Sequence, residues 1–229
     1  MLLLFDIDGT LLLKASREHA EALYAALRQV HGIDEIPEGK VEAAGRTDLA
    51  IARTILTLAG VPAEQIDDRA GDVRAATVVE YAQRCPADFS VHLAPKVPEV
   101  LDELTARDGV RFALVTGNLE PIARLKVDRA GIGHHFAKGL GGFGSDAEDR
   151  AELPAIARVR AGTRNGPYPR ERTVVIGDTP RDIACARADG VAVIAVATGP
   201  FKADALRSAD AVCAHMGQVP AALDALGLG

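Results

Sequence analysis

The sequence predicts an α/β protein: a parallel sheet with helices on both faces, carrying a wholly helical segment inserted after the first strand. Two observations predict it. Apolar runs of strand length alternate with helical patterns through the last two thirds of the chain, which is the grammar of a parallel sheet. Between residues 14 and 88, by contrast, only helical patterns occur, while the run before them, LLLF, is of the doubly covered strand type.

In chain order, LLLFDI reads as a buried strand. Residues 15–32 read as a helix with Ser16 as N-cap, an apolar stripe at Ala20, Leu23, Leu27 and Val30, and Gly32 as its end. Residues 47–59 and 63–83 read as two more helices. Then helices at 96–107, 119–130, 148–161 and 180–188 alternate with strands at 111–115, 138–143, 173–176 and 191–196. GTRNGPYPRER (162–172) is a turn-rich surface loop. A strand at 211–213 and a helix at 217–226 complete the pattern. The expected units are therefore 1–13 with 89–229 as the α/β core, and 14–88 as the insertion.

Composition excludes several classes. A net charge of −6 without any basic block disfavours nucleic acid and anionic membranes as partners. Aromatics at 4 %, with no Trp, leave little for stacking single-stranded bases. Cys85, Cys185 and Cys213 are odd in number and widely spaced, so they read as reduced, buried thiols. LLLF is too short to span a bilayer and lacks a basic flank, so a cytoplasmic location is expected. His134 and His135 are adjacent, a poor spacing for ligating one metal, and read as loop residues.

Three strands end in polar clusters: Asp6-Ile7-Asp8-Gly9-Thr10, Thr116-Gly117-Asn118, and Gly177-Asp178-Thr179-Pro180-Arg181-Asp182. Ligands of open α/β sheets bind outside the carboxyl ends of the strands, so the three clusters can meet in one site. Asp6 and Asp8 lie two apart and repel each other unless a proton or a cation is shared. With Asp178 they form a set of carboxylates without His or thiolate, suited to a hard, oxygen-liking cation such as Mg²⁺. Thr116 and Asn118 can bond anionic oxygens. Acids that need a cation before an anion can approach point to phosphoryl transfer.

DIDGT, then FALVTGN, then VVIGDTPRD, in this order and each after a strand, resembles the haloacid dehalogenase superfamily. DxDGT alone fixes four positions, a chance match of roughly 10⁻⁵ per start at average composition. The resemblance covers the whole chain. It implies a Rossmann-like parallel sheet core with helices on both faces plus an inserted all-helical cap domain, similar to that of phosphoglycolate phosphatases and β-phosphoglucomutases. Asp8 sets the chain apart from the dehalogenases themselves, which lack this second acid.

By this resemblance Asp6 is the nucleophile that forms an aspartyl-phosphate, and Asp8 the proton donor and acceptor. The Asp6 carboxylate, the Asp8 backbone carbonyl and Asp178 hold Mg²⁺, with Asp182 behind or bound through water. Thr116 and Asn118 bind the transferring phosphoryl group. The family's usual Lys is absent where Arg150 aligns; Arg150 is favoured for its role over Lys138, which comes earlier in the chain. In the cap, Gly45-Arg46-Thr47 opens a helix, and Arg46 and Thr47 are expected to face the substrate. The implied activity is a Mg²⁺-dependent phosphatase acting on a small phosphorylated metabolite. The alternatives are a phosphomutase and a non-catalytic phosphate-ligand binder.

Overall fold

A computed structural model of the protein describes residues 1–35 and 41–228. Its centre is a six-stranded, all-parallel sheet of order β3-β2-β1-β4-β5-β6. The strands are β1 (Leu2–Phe5), β2 (Arg111–Thr116), β3 (Gly142–Phe143), β4 (Thr173–Gly177), β5 (Ala192–Val196) and β6 (Ala211–Cys213). β1 lies between β2 and β4, pairing Leu4 with both Ala113 and Val175. Its alternating residues feed two cores, Leu3 and Phe5 on one face and Leu2 and Leu4 on the other. This double burial is why β1 reads as an unbroken apolar run rather than an alternating one.

Helices cover both faces: α5 (Val97–Thr105), α6 (Glu120–Arg129), α7 (Leu153–Ala161), α8 (Pro180–Asp189) and α9 (Val219–Ala225). The helices between β1 and residue 88 are α1 (Arg17–His31), α2 (Asp48–Leu58), α3 (Ala63–Asp68) and α4 (Ala70–Arg84), with no strand among the described residues there. They enclose an apolar cluster of their own, centred on Leu23, Leu27, Ile55, Leu56 and Val73. The chain enters and leaves this segment side by side: Leu13 N–H donates to the His92 carbonyl (2.7 Å) and Ala94 N–H to that of Leu11 (2.9 Å).

Several boundaries differ from the sequence reading. β1 stops at Phe5, because the chain turns at Asp6-Ile7 and Leu11 and Leu12 N–H both bond the Ile7 carbonyl. α1 begins at Arg17 and Ser16 makes no side-chain cap bond, although Gly32 does end the helix in the left-handed conformation. The single helix expected at 63–83 is two, broken at Arg69. The strand expected at 138–143 is only Gly142–Phe143. The helix expected at 148–161 opens as a 3₁₀ turn, Arg150–Glu152. All three cysteines are free and buried. No helix among the described residues is long and apolar enough to cross a membrane.

Candidate active site

The three polar clusters meet at the carboxyl ends of β1, β2 and β4, with β1 in the middle. Asp6 follows β1 directly, and its N–H still bonds the Ile176 carbonyl of β4 (2.9 Å), which places its carboxyl beside the β4 loop. That loop opens α8 through a reciprocal cap: Thr179 is the N-cap, its hydroxyl accepts from Asp182 N–H, and the Asp182 carboxylate accepts from Thr179 N–H. Asp6, Asp178 and Asp182, all buried, bring carboxylate oxygens within 4.8 Å of one another.

Burial raises the Asp6 carboxyl to about 7; the Arg150 guanidinium opposes the rise, while Asp182 and Asp8 add to it. Burial, with Asp6 and Asp182 nearby, raises Asp178 to about 8. Thr10 Oγ1 donates to one Asp178 oxygen (3.0 Å), and the other, Oδ2, is buried with no partner. An orphaned carboxylate oxygen beside two further acids fits a hard cation. The cradle is tight. Gly9, at φ +92°, lies so close that a Cβ there would overlap the Asp178 carboxylate, which only glycine avoids. Asp6 and Asp178 are the side chains able to ligate. Both Asp182 oxygens are already taken, Oδ1 by Arg150 (2.5 Å) and Oδ2 by Thr179, which leaves it a supporting place.

Asp8 stands apart from these acids. Its carboxylate takes Lys126 Nζ on both oxygens (2.8 and 2.7 Å) and Asn118 Nδ2 on one (2.9 Å). Burial alone would raise it, but Lys126 foremost, with Asn118, holds it below the usual carboxylate value. Asn118 also donates to Thr116 Oγ1 (2.8 Å), and its own carbonyl oxygen is buried without a partner.

Arg150 is buried, and its Nη2 reaches Asp6 Oδ1 (3.1 Å) as well as Asp182. Lys138 is exposed and pairs with none of these acids among the described residues. The structure therefore brings Arg150, and not Lys138, into the cluster.

A cavity of about 500 Å³ lies over the carboxylates, between the sheet edge and the helical segment. Arg46 lines it, but its Nη2 is spent on the helix that follows, α2, donating to the Ala50 carbonyl (2.8 Å) and Thr54 Oγ1 (2.7 Å). Thr47 departs from the sequence reading. It is the N-cap of α2, its hydroxyl donates to the Glu148 carbonyl (2.6 Å), and it faces a neighbouring cavity on the Arg150 side instead. The Arg46-Thr47 backbone is clamped onto the core: Asp48 N–H bonds the Gly117 carbonyl (2.9 Å), and a Cβ on Gly117 would overlap the Arg46 carbonyl.

Sequence reasoning missed three contributors, Thr198, His19 and Lys126, and with them the bond from Thr10 to Asp178. Thr198 lines the cavity and donates to the Gly9 carbonyl (2.6 Å). It follows a strand, which was the available signal. His19 and Lys126 sit within helical patterns and had none. Of the surface histidines, His134 is exposed, whereas His135 packs on Phe112 and lies beside Asp102.

The chain is 28 % identical over 238 residues to the tyrosine-protein kinase PtkA of Mycobacterium tuberculosis, a match covering 99 % of this chain and 72 % of that protein. It is 28 % identical over 199 residues to the phosphoglycolate phosphatase of Rhodospirillum rubrum, covering 86 % and 79 % respectively. Its fold matches the crystal structure of β-phosphoglucomutase from Clostridium difficile with a TM-score of 0.70 at 15 % identity, over 100 % of this chain and 99 % of that one. The family model for haloacid dehalogenase-like hydrolases matches residues 3–187. With its acids, its β1 centre and most of its length inside that match, the chain belongs to the haloacid dehalogenase-like hydrolases.

Proposed function

We propose that the protein is a Mg²⁺-dependent phosphatase that hydrolyses a small phosphomonoester, phosphoglycolate-like or a sugar phosphate, through an aspartyl-phosphate on Asp6. The observation that carries this is the division of labour between two carboxylates two residues apart. Asp6 lies among acids and an arginine, while Asp8 is turned away onto Lys126 and Asn118. Two carboxyls with different partners can take the separate roles of nucleophile and proton carrier, and a cation held by Asp6 and Asp178 would keep Asp6 ionised for attack.

An Asp6 oxygen attacks phosphorus and the bond to the leaving oxygen breaks. That oxygen takes a proton from Asp8, which a phosphate dianion bound beside it raises from the low value that Lys126 gives it in the free protein. Asp8 then takes a proton from the water that attacks the aspartyl-phosphate, and phosphate leaves. Arg150 and Asn118 supply donors for the phosphoryl oxygens. Asp6 and Asp178 would hold the cation, which would neutralise the acids so that an anion could approach. The helical segment acts as a cap that limits the size of the substrate and excludes bulk water. A cavity of about 500 Å³ suits a small metabolite.

The test is phosphate release over a panel of phosphomonoesters, including phosphoglycolate, sugar phosphates and a phosphotyrosine peptide, with Mg²⁺ and with chelator. Metal-dependent release that Asp6→Asn abolishes supports the reading. Wild-type protein that releases nothing from any ester removes it. Net release of free phosphate also counts against a phosphomutase.

A further inference from the structure

Lys126 is fully buried, on a helix whose neighbouring positions are ordinary core and surface. A buried ammonium is costly, and an apolar side chain of similar size would fill the same space more cheaply. This one is partnered by chemistry, since both Asp8 oxygens and His19 Nδ1 (3.3 Å) surround its Nζ, with the Tyr81 ring 6.0 Å away.

The partners continue into the helical segment. An ammonium only donates, so His19 Nδ1 accepts from Lys126 and His19 Nε2 carries the ring proton. That proton faces Asp48 Oδ2 at 3.0 Å. The same Asp48 oxygen accepts from Leu119 N–H (2.9 Å), at the start of α6. The chain of bonds therefore begins and ends on α6, at Leu119 and Lys126, and its middle members, Asp48 and His19, belong to α2 and α1 of the cap.

We propose that Lys126 is a positioning residue for Asp8, and that His19 and Asp48 of the helical segment hold Lys126 in that place. The inference rests on the reading of Asp8 as the proton carrier. It assigns to His19 and Asp48 a part in the rate and not only in the fold.

The experiment compares wild-type protein, Lys126→Met, His19→Leu and the double variant on two esters with Mg²⁺. One is an alkyl phosphate with a poor leaving group; the other is p-nitrophenyl phosphate, whose leaving group needs little protonation. Lys126→Met is expected to lower kcat on the alkyl ester by about 100-fold or more, the span of a lost proton carrier, and by about tenfold or less on p-nitrophenyl phosphate. KM changes little. His19→Leu shifts the two rates the same way by a smaller factor, and the double variant is no worse than Lys126→Met alone.

Equal losses on both esters, an unchanged alkyl rate, or independent multiplication of the two single effects would overturn the inference. If Lys126→Met does not fold, His19→Leu and Asp48→Asn carry the same leaving-group comparison, with the same outcomes deciding. Wild-type protein inactive on both esters overturns the phosphatase reading and this inference with it. An active wild type with an unaffected Lys126→Met overturns this inference alone.

Discussion

Arg150 Nη2 stands 3.1 Å from Asp6 Oδ1 and 2.5 Å from Asp182 Oδ1, so one guanidinium holds the carboxyl at the end of β1 against the carboxyl that caps α8. Its nearness to the two acids keeps it protonated, well above the ordinary arginine value despite burial. Arg150→Met removes the only cation beside Asp6 among the described residues, and we expect kcat/KM to fall by about 100-fold or more, as for loss of a charge-stabilising donor. Arg150→Lys is expected to recover part of this, because a lysine reaches one acid at a time and not both. Steady-state kinetics of the two variants check this.

The acids of the site make stability depend on pH and cation together. Asp6 and Asp178 are raised from 3.8 to about 7 and about 8, so the folded protein binds their protons more tightly than the unfolded chain does. Stability from these two groups is full below the unfolded value and is lost as pH rises through the folded ones. Asp8 is lowered and acts in a different window, losing its contribution only below the unfolded value. In chelator, Tm is expected to fall between about pH 5 and pH 8.5, and Mg²⁺ to raise Tm more at the upper pH. Thermal melts at both pH values check it, and Asp178→Asn is expected to erase the Mg²⁺ effect.

Gly9 leaves no room for a side chain beside Asp178. Gly9→Ala is expected to abolish phosphate release, since φ +92° is strained for alanine and the methyl displaces the Asp178 carboxyl. Activity, together with Mg²⁺ stabilisation in a melt, reads both effects.

Thr47 caps α2 and bonds the core at Glu148, without facing the carboxylates. Thr47→Ala is expected to cost about 1 kcal/mol of stability from the lost cap. If α2 docking matters for substrate enclosure, KM rises with kcat nearly unchanged. A denaturant titration and a KM measurement separate the two.

Far from the site, Arg158 and Asp189 form a buried two-fold ion pair (2.6 and 2.7 Å) that ties α7 to the end of α8. Arg158→Met leaves the Asp189 carboxyl buried with only the half-exposed Arg170 for company, and is expected to cost about 3–5 kcal/mol. Folded Arg158→Met retains wild-type kcat, which distinguishes this scaffold pair from Arg150.

Much of this was readable before any coordinates. A strand buried on both faces must be apolar throughout, so β1, β2, β4 and β5 announce themselves, and the polar residues that break each run mark where the chain leaves the sheet. Those breaks are Asp6, Thr116 and Asp178, and parallel pairing around β1 carries them to one edge. Boundaries set by local hydrogen bonding were less legible. The break at Arg69 and the 3₁₀ start at Arg150 involve residues compatible with a continuous helix, and the neighbours they pack on decide their conformation.

Sequence alone determined the parallel sheet, the helices that follow β1 and the acids at the strand ends, because periodicity and strand ends are local properties of the chain. Tertiary structure alone decided which partners each carboxylate has. In sequence Asp6 and Asp8 are near twins, and Lys126 is one more basic residue near the end of a helix, where cations are ordinary. Only the packing of α1 and α4 over α6 buries that ammonium, sets it against Asp8 and leaves Asp6 to the acids and Arg150. A charge acquires its role from the partners left to it once water is gone, and those partners come from distant parts of the chain.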